Sequence, residues 1–247
     1  TFVWTGGTIG STAIVNINVG VVVTYNPGVT AYCYGVINNY GTWNFDGGDL
    51  QGTGTFYNFI GGVVNINGVL NVDLSWQLVF YNSGIVNKVV PGLFTHYGTV
   101  FHNLTGGVVN VLAGEYRFKG GFINAGVITS TGTAFLCHHS GIFTNNTGGD
   151  ASNGRIVIFG GDLVVNAVFN ILHFRVEGGT VYGPLAVTVL NRGTFGWSGG
   201  LFDVTAVIDI NAGVVTTFSP SATVFCHGTI NNGGTWNFTG GNLHGNG

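Results

Sequence analysis

Apolar and polar residues alternate along this chain in short runs of four to six residues. Examples are Ala13–Asn18, Val21–Tyr25 and Val63–Asn67, which are rich in Val, Ile and aromatic residues and end at Gly or Asn. Such runs, bounded by such residues, are typical of short β-strands. No stretch of ten or more residues combines a helical period with capping residues. The pattern therefore predicts an all-β chain with no significant helix.

A short sequence motif with alternating aromatic residues, which we call the aromatic phrase, recurs in the chain at a constant interval. The segment Thr42–Leu50, in which Trp43 and Phe45 alternate with polar residues before a Gly-Gly pair, returns at Thr235–Leu243. A looser form of the phrase opens the chain at Thr1 and returns at Thr194, again 193 residues later. Internal repetition of this kind indicates a repeat architecture.

The repetition extends well beyond the aromatic phrase. Residues 1–54 align with residues 194–247 without a gap, and about half of the aligned positions are identical. No linker rich in Pro, Ser or charge divides the chain. We therefore predict a single continuous β-array over 1–247, in which 1–193 form one long repeat unit and 194–247 begin a second copy.

Short strands separated by Gly and Asn fit either a β-sandwich or a solenoid. A sandwich has no reason to restart after such a long unit, whereas a solenoid lengthens by adding coils. The phrases at Thr1 and Thr42 lie 41 residues apart, which equals two coils of roughly twenty residues in a three-sided parallel β-helix. The prediction is a parallel β-helix (β-solenoid) with roughly twenty residues per coil.

The stretch Gly41–Phe56 resembles the repeats of extracellular parallel β-helix proteins, such as autotransporter passengers and filamentous adhesins. The resemblance is one of composition and covers most of the chain. It implies a secreted, elongated and non-catalytic protein at the cell surface. The chain departs from these proteins in its high content of Phe and Trp and in lacking a recognisable capping segment.

The composition of the chain excludes some classes of binding partner. Only 6% of the residues are charged and the net charge is −3, so the chain offers no basic face for nucleic acid. No apolar run is long enough for a transmembrane helix. A surface with so few charged residues would be poorly soluble if left bare. We therefore expect glycans or neighbouring subunits to cover it. Because neither Thr1 nor Gly247 falls at a sequence boundary of the repeat, we expect end-to-end self-association into a filament.

Three Asn-x-Ser/Thr sequons are candidate sites for covalent glycans: Asn103, Asn145 and Asn237. The motif is short and also arises by chance in a chain rich in Asn and Thr. All three lie close to Gly-Gly pairs, which predicts exposed corners beside them. We expect glycans at these asparagines, since sugars would hydrate a surface poor in charge.

Some parallel β-helix proteins cleave polysaccharides, and such chemistry needs tuned carboxylates in one cleft. The best carboxylate pair is Asp46 and Asp49, which the second copy replaces with Thr239 and Asn242. The sequence thus predicts no catalytic site. Asp203 and Asp209 likewise correspond to Gly10 and Asn16 in the first copy. The few basic residues, such as Arg155, Arg175 and Arg192, are spread widely along the chain.

Two short motifs combine Cys and His, which are possible metal ligands: Cys137-His138-His139 and Cys226-His227. Cys33 holds the position equivalent to Cys226 but is followed by Tyr34, and zinc sites need four ligands at short spacing. The three cysteines are predicted to be small apolar core residues. We expect neither a metal nor a cofactor.

These observations predict a structural subunit or segment of a glycosylated extracellular filament built from tandem β-solenoid repeats. The alternative is a cell-surface adhesin whose exposed Tyr, Trp and Asn residues bind carbohydrate or a host surface. A polysaccharide lyase or hydrolase is the third hypothesis.

Overall fold

The computed structural model contains only β-strands and turns in the part of the chain that it describes, and no helix there could cross a bilayer. For residues 75–76 only the backbone is described. The described ranges are 1–28, 30–68, 75–76, 78–221 and 223–246.

Thirty-three strands follow one another along the described residues. In chain order they are β1 (Phe2–Trp4), β2 (Thr8–Ile9), β3 (Ile14–Ile17), β4 (Val22–Tyr25), β5 (Ala31–Cys33), β6 (Val36–Asn39), β7 (Thr42–Phe45), β8 (Leu50–Gln51), β9 (Thr55–Asn58), β10 (Val63–Ile66), β11 (Ser75–Trp76), β12 (Val79–Asn82), β13 (Ile85–Lys88), β14 (Leu93–Tyr97), β15 (Phe101–Asn103), β16 (Val108–Val111), β17 (Glu115–Lys119), β18 (Phe122–Asn124), β19 (Val127–Ser130), β20 (Phe135–Ser140), β21 (Ile142–Asn145), β22 (Asp150–Ile158), β23 (Asp162–Val165), β24 (Phe169–Val176), β25 (Thr180–Tyr182), β26 (Ala186–Trp197), β27 (Leu201–Phe202), β28 (Val207–Ile210), β29 (Val215–Phe218), β30 (Thr223–Cys226), β31 (Thr229–Asn232), β32 (Thr235–Phe238) and β33 (Asn242–Gly245).

The chain winds as a three-sided coil, and each coil adds one strand to each side. The first face begins with β1, β4 and β7, the second with β2, β5 and β8, and the third with β3, β6 and β9. The first and second faces form one 21-stranded sheet, because β22, β24 and β26 run through the corner between them. The third face is a separate sheet of 12 strands.

Every strand pairs in parallel with its counterpart in the next coil, which confirms the predicted parallel β-solenoid. The coil length varies along the chain. On the third face the shortest step joins Leu163 to Val181, and one of the longest joins Thr55 to Val79. About 21 residues per coil is the average.

Alternate residues of each strand point inward and stack on their equivalents in neighbouring coils. On the third face Phe56, Phe80, Phe101, Phe122 and Phe143 form one buried row, with successive ring centroids 4.8, 4.7, 5.4 and 4.9 Å apart. Each such aromatic pair contributes roughly 0.5–1.5 kcal/mol beyond the area that it buries. The stacked rows are the hydrophobic core of the solenoid.

Two histidines occupy inward positions on the second face. His96 lies opposite Phe118, and Phe118 lies opposite His138 in the next coil. His96 Nε2 donates to Thr99 Oγ1 at 3.1 Å, and His138 Nε2 donates to the Gly141 carbonyl at 3.1 Å. Burial lowers the pKa of His96 to about 3 and also lowers the pKa of His138. Both side chains are therefore neutral near pH 7.

Candidate functional site

The second face carries most of the basic residues of the chain on its outer side. Four of the six Lys and Arg residues lie there, on β17, β22 and β24, together with both Glu residues of the chain. These six side chains give a net formal charge of +2, although the whole chain carries −3. They are Glu115, Arg117, Lys119, Arg155, Arg175 and Glu177.

The winding of the coils explains why the sequence did not reveal this cluster. Arg117 lies opposite Cys137, Cys137 opposite Val157, and Val157 opposite Arg175, so four consecutive coils contribute to one outward row. Arg155 lies in the adjacent row, opposite His173. The prediction that the basic residues are spread widely is therefore wrong for Arg155 and Arg175, which winding of the chain brings to neighbouring strands.

Two ion pairs of the same form lie at opposite ends of this row. Arg117 Nε lies 2.7 Å from Glu115 Oε1, and Arg175 Nε lies 2.7 Å from Glu177 Oε1. In each pair the partners are two residues apart on one strand or at its end, where side chains share a face. The Arg175 side chain remains 59% exposed, so its guanidinium stays accessible to a ligand.

Arg155 differs from these two arginines. Among the described residues it has no carboxylate partner, and its Nη2 donates to the Gly132 carbonyl at 3.2 Å. Its Nε is buried and has no hydrogen-bond acceptor in the described structure. A buried donor without an acceptor costs about 1–3 kcal/mol, and the exposed Nη2 edge is the part of this guanidinium that a ligand can reach.

Short side chains between the arginines leave a depression, which we call the charged groove. Its volume is about 630 Å³. At Gly196, opposite Arg175, an added Cβ would lie 3.2 Å from Arg175 Cγ, so a side chain there would crowd the groove. The groove is bounded by Glu115, Arg117, Phe135, Cys137, Arg155, Val157, Phe159, His173, Arg175, Glu177 and Gly196.

Two titratable groups of the groove, Cys137 and His173, are held in their uncharged forms. Burial, reinforced by Glu115, raises the pKa of Cys137 to about 12, so its thiol is protonated and does not act as a thiolate nucleophile. Burial, reinforced by Arg155, lowers the pKa of His173. The arginines are therefore the main source of positive charge in the groove near pH 7.

The structure separates the residues of the candidate metal motif. Cys137 and His139 point outward, whereas His138 points into the core and is fully buried. This follows from the two-residue period of a strand. The described residues contain no group of three His, Cys, Asp or Glu side chains that could hold a metal ion. Cys33 is buried as predicted, while Cys226 is only partly buried.

Three of the candidate carboxylates accept local hydrogen bonds. Asp46 Oδ1 accepts from Asn67 Nδ2 at 2.9 Å on the corner after the first face. Asp209 Oδ1 accepts from Asn231 Nδ2 at 2.7 Å. Asp203 Oδ1 accepts from the Thr205 amide and hydroxyl, both at 3.3 Å.

Two of the three sequon asparagines, which were expected to carry glycans beside exposed corners, are themselves fully enclosed. Asn103 is 1% exposed and Asn145 is 0% exposed. Asn103 Nδ2 donates to Asn124 Oδ1 at 2.9 Å, and Asn145 Nδ2 donates to the Ala167 carbonyl at 3.3 Å. Because a glycan is attached at Nδ2, the folded coil leaves no room for one at either position. Asn237 is exposed on β32.

The two enclosed asparagines belong to a feature that we call the asparagine ladder. Six buried asparagines end the third-face strands of successive coils, and the Nδ2 of each of the first five donates to the next Oδ1 at 2.8–3.1 Å. Each of the first four also donates to a backbone carbonyl of the coil beyond, at 3.1–3.3 Å. The recurrent Asn before a Gly or Gly-Gly corner was the sequence signal for it. The ladder comprises Asn39, Asn58, Asn82, Asn103, Asn124 and Asn145.

The fold defines the class of protein, which is a parallel β-solenoid. Comparison with family models, with curated proteins and with solved structures finds no significant match to this chain.

Proposed function

We propose that this chain is a structural segment of an extracellular filament, in which solenoid units associate end to end. The observation that supports the proposal is the asparagine ladder, which links six consecutive coils through buried side chains. A buried hydrogen-bond network of this kind rigidifies a structure. The ladder adds to the backbone hydrogen bonds between coils, which run along the same axis.

The stacked aromatic row, like the ladder, holds neighbouring coils together along the axis. Phe56, Phe80 and Phe101 stack face to face with interplanar angles of 6° and 7°. Separating two coils therefore requires the loss of backbone bonds on three faces, of an amide bond and of aromatic contacts together. Because these contacts must be lost together, the stacked coils form a stiff rod. A fibre that bears tension along its axis requires this stiffness.

Electron microscopy of the purified chain tests this role. Eleven steps between the strands of the third face, at about 4.8 Å each, give a rod about 50 Å long. We expect rods of constant width that join into longer rods in multiples of this length as the protein concentration rises. Particles that remain single at all concentrations, or that associate only side by side, would contradict end-to-end assembly.

Covalent glycans are part of this proposal at Asn237. The site is exposed and the sequon is completed by Thr239, whose Oγ1 donates to the Phe218 carbonyl at 3.1 Å. Expression in a host that glycosylates secreted proteins should give a mass increase, which Asn237→Gln and Thr239→Ala abolish. Thr239→Ser retains the sequon and the hydroxyl, so it should retain the added mass. An unmodified wild-type chain would argue against a glycan coat.

Surface adhesion is a second candidate function, favoured by an outward aromatic row on the third face. Tyr57 stacks on Tyr81 at 5.0 Å, and Tyr81 stacks on His102 at 4.5 Å. Half-exposed aromatic rings in a regular row offer flat apolar surfaces against which sugar rings can pack. Binding of neutral oligosaccharides that is weakened by Tyr81→Ala would support this function, and equal binding by the variant would exclude this row.

A further inference from the structure

We propose that the charged groove binds an acidic polysaccharide, a chain of carboxylated sugars that lies along the solenoid axis. The groove is separate from the asparagine ladder and from the aromatic row of the third face. The inference therefore does not rest on the filament role, and either proposal can fail alone.

The spacing of the cations along the axis favours an extended polymer. Arg117 and Arg175 lie in one row three coils apart, which corresponds to about 14 Å. Arg155 lies between them, in the coil next to that of Arg175. One coil advances by about 4.8 Å, which is close to the advance of one sugar residue in an extended glycan. The carboxylates of the first, third and fourth residues of such a chain would then lie near Arg117, Arg155 and Arg175.

The guanidinium geometry favours a carboxylate as the charged group. Arginine offers a planar fork of donors that matches a carboxylate in a bidentate arrangement. The Nε atom of Arg175 is held by Glu177 at 2.7 Å, which orients the exposed remainder of the guanidinium outward. The buried Nε atom of Arg155 has no acceptor in the described structure. Because that atom is enclosed, a ligand carboxylate would bond to the terminal nitrogens of Arg155, of which Nη2 already donates to the Gly132 carbonyl at the surface.

The remaining groove surface suits the uncharged parts of a sugar. Phe159 is 49% exposed and Phe135 is half-buried, so each presents part of an aromatic ring to solvent. The apolar faces of pyranose rings pack on such surfaces, while the carboxylates of Glu115 and Glu177 can accept hydrogen bonds from sugar hydroxyls. Hydroxyl donors, apolar ring faces and one negative charge per residue are properties of a uronic acid polymer.

The same mixture of charges argues against nucleic acid. Nucleic acids are bound chiefly by the neutralisation of closely spaced phosphates with Lys and Arg. The groove itself holds three arginines and two glutamates, a net formal charge of +1, which is too little to neutralise a run of closely spaced phosphates. Nucleic acid and sulphated chains therefore serve as competing ligands in the test.

Binding to polygalacturonate, measured by calorimetry or by affinity electrophoresis on the intact chain, tests the proposal. Fully methyl-esterified polygalacturonate has the same backbone without the charges and is the matched control ligand. We expect binding to the acidic polymer that weakens with added salt, and binding to the ester at least tenfold weaker.

Arginine variants then locate the site. Arg155→Gln and Arg175→Gln should each weaken binding to polygalacturonate at least tenfold, because each removes a charge-assisted bond. Arg192→Gln is the control, since Arg192 is exposed at the corner of β26 outside the groove. Unchanged circular dichroism would show that the three variants remain folded.

Several outcomes would overturn the proposal. These are no binding to the acidic polymer, equal binding to its ester, or an equal loss of affinity in Arg192→Gln. Tighter binding of DNA or of a sulphated polysaccharide, with the same dependence on Arg155 and Arg175, would show a general polyanion site instead. Microscopy of the same preparations reports on the filament role independently.

Discussion

Residues 1–54 and residues 194–247 share a sequence pattern, and the structure gives both segments the same local geometry. Trp4 Nε1 donates to the Gly6 carbonyl at 2.6 Å, and Trp197 Nε1 donates to the Gly199 carbonyl at 2.9 Å. The register between strands is also repeated. Phe2 pairs with Val23 in β4, and its equivalent Phe195 pairs with Thr216 in β29, at the same interval along the chain.

The repetition extends to polar contacts on the outer surface. Asn38 Nδ2 donates to Asn16 Oδ1 at 2.8 Å, and Asn231 Nδ2 donates to Asp209 Oδ1 at 2.7 Å. The acceptor has changed from an amide to a carboxylate, yet the bond is retained. The local sequence therefore specifies strand, corner and cross-coil contact as one unit.

The two segments nevertheless lie on different faces. β1, β4 and β7 belong to the first face, whereas their counterparts in β26, β29 and β32 belong to the second. The interval from Thr1 to Thr194 thus amounts to nine coils and one further strand. The repeated phrase does not specify a particular face, because its place around the axis depends on the lengths of the coils before it.

Burial is the other difference between the segments. Phe45 is 0% exposed and its strand β7 pairs with both β4 and β10. Phe238, its counterpart, is 64% exposed on β32, which pairs with β29 alone among the described strands. The environment of an aromatic residue in this fold is set by the coils stacked on it, and the phrase that contains it has little influence.

The matched pair Phe45→Ala and Phe238→Ala should show the largest difference between the segments. Removing the buried ring of Phe45 leaves a cavity and should cost about 3–5 kcal/mol of unfolding free energy. Removing the exposed ring of Phe238 should cost less than about 1 kcal/mol. Chemical denaturation of the isolated chain measures both, and equal losses would show that Phe238 is covered in solution, as end-to-end association predicts.

Acid should act on the coils between the two segments before it acts on either segment. His96 has a folded pKa of about 3, compared with 6.5 in the unfolded chain. The unfolded state therefore binds more protons below pH 6.5, and the stability present above that pH is lost as the pH falls toward 3. The loss is up to about 1.4 kcal/mol per pH unit.

Hydrogen exchange near neutral pH and in mild acid measures where this loss occurs. Amides of β14 and β20, which carry His96 and His138, should lose protection before those of β4 and β7. The double variant His96→Phe and His138→Phe should reduce the dependence of stability on pH below 6.5. An unchanged slope in that variant would assign the acid sensitivity to other groups.

The asparagine ladder supplies a second matched pair, Asn39→Ala and Asn232→Ala. Asn39 is buried, and its loss leaves Asn58 Oδ1 and the Val63 carbonyl without their donor. We expect a cost of about 2 kcal/mol, since each unsatisfied buried group costs about 1–3 kcal/mol. Asn232 is exposed and its side chain bonds to Gly234, so its replacement should cost less than about 0.5 kcal/mol. Similar costs would refute a structural role for the ladder.

The strands and the coil were predictable from the sequence because they depend on local chemistry. Alternating apolar residues form strands, and glycine and asparagine form corners, whatever the neighbouring coil contains. The average coil length followed from the spacing of Thr1 and Thr42. These features need no knowledge of which residues stack on one another.

The charged groove was not predictable in this way, because the coil length is not constant. The recurrent Asn before a Gly corner was a signal for the ladder, but it did not show which asparagines stack on one another. The spacing of Arg155 and Arg175 is close to the average coil, yet Arg155 stacks opposite His173. Lys88 likewise occupies the inward position shared by Ile66 and Val111, where its Nζ donates to two backbone carbonyls. A constant period places such residues in the wrong rows.

The smallest predicted effect tests whether the two segments are equivalent where stacking has no influence. Gly20 and Gly213 hold equivalent positions, each has φ of 80°, and an added Cβ at either would have no neighbour within 4 Å. Gly20→Ala and Gly213→Ala should therefore each cost about 1 kcal/mol, from backbone strain alone. Asn tolerates this conformation better, so Gly20→Asn and Gly213→Asn should recover part of the loss. Denaturant midpoints of the four variants measure this, and clearly unequal costs in the two alanine variants would show that the face around the axis alters even an isolated turn.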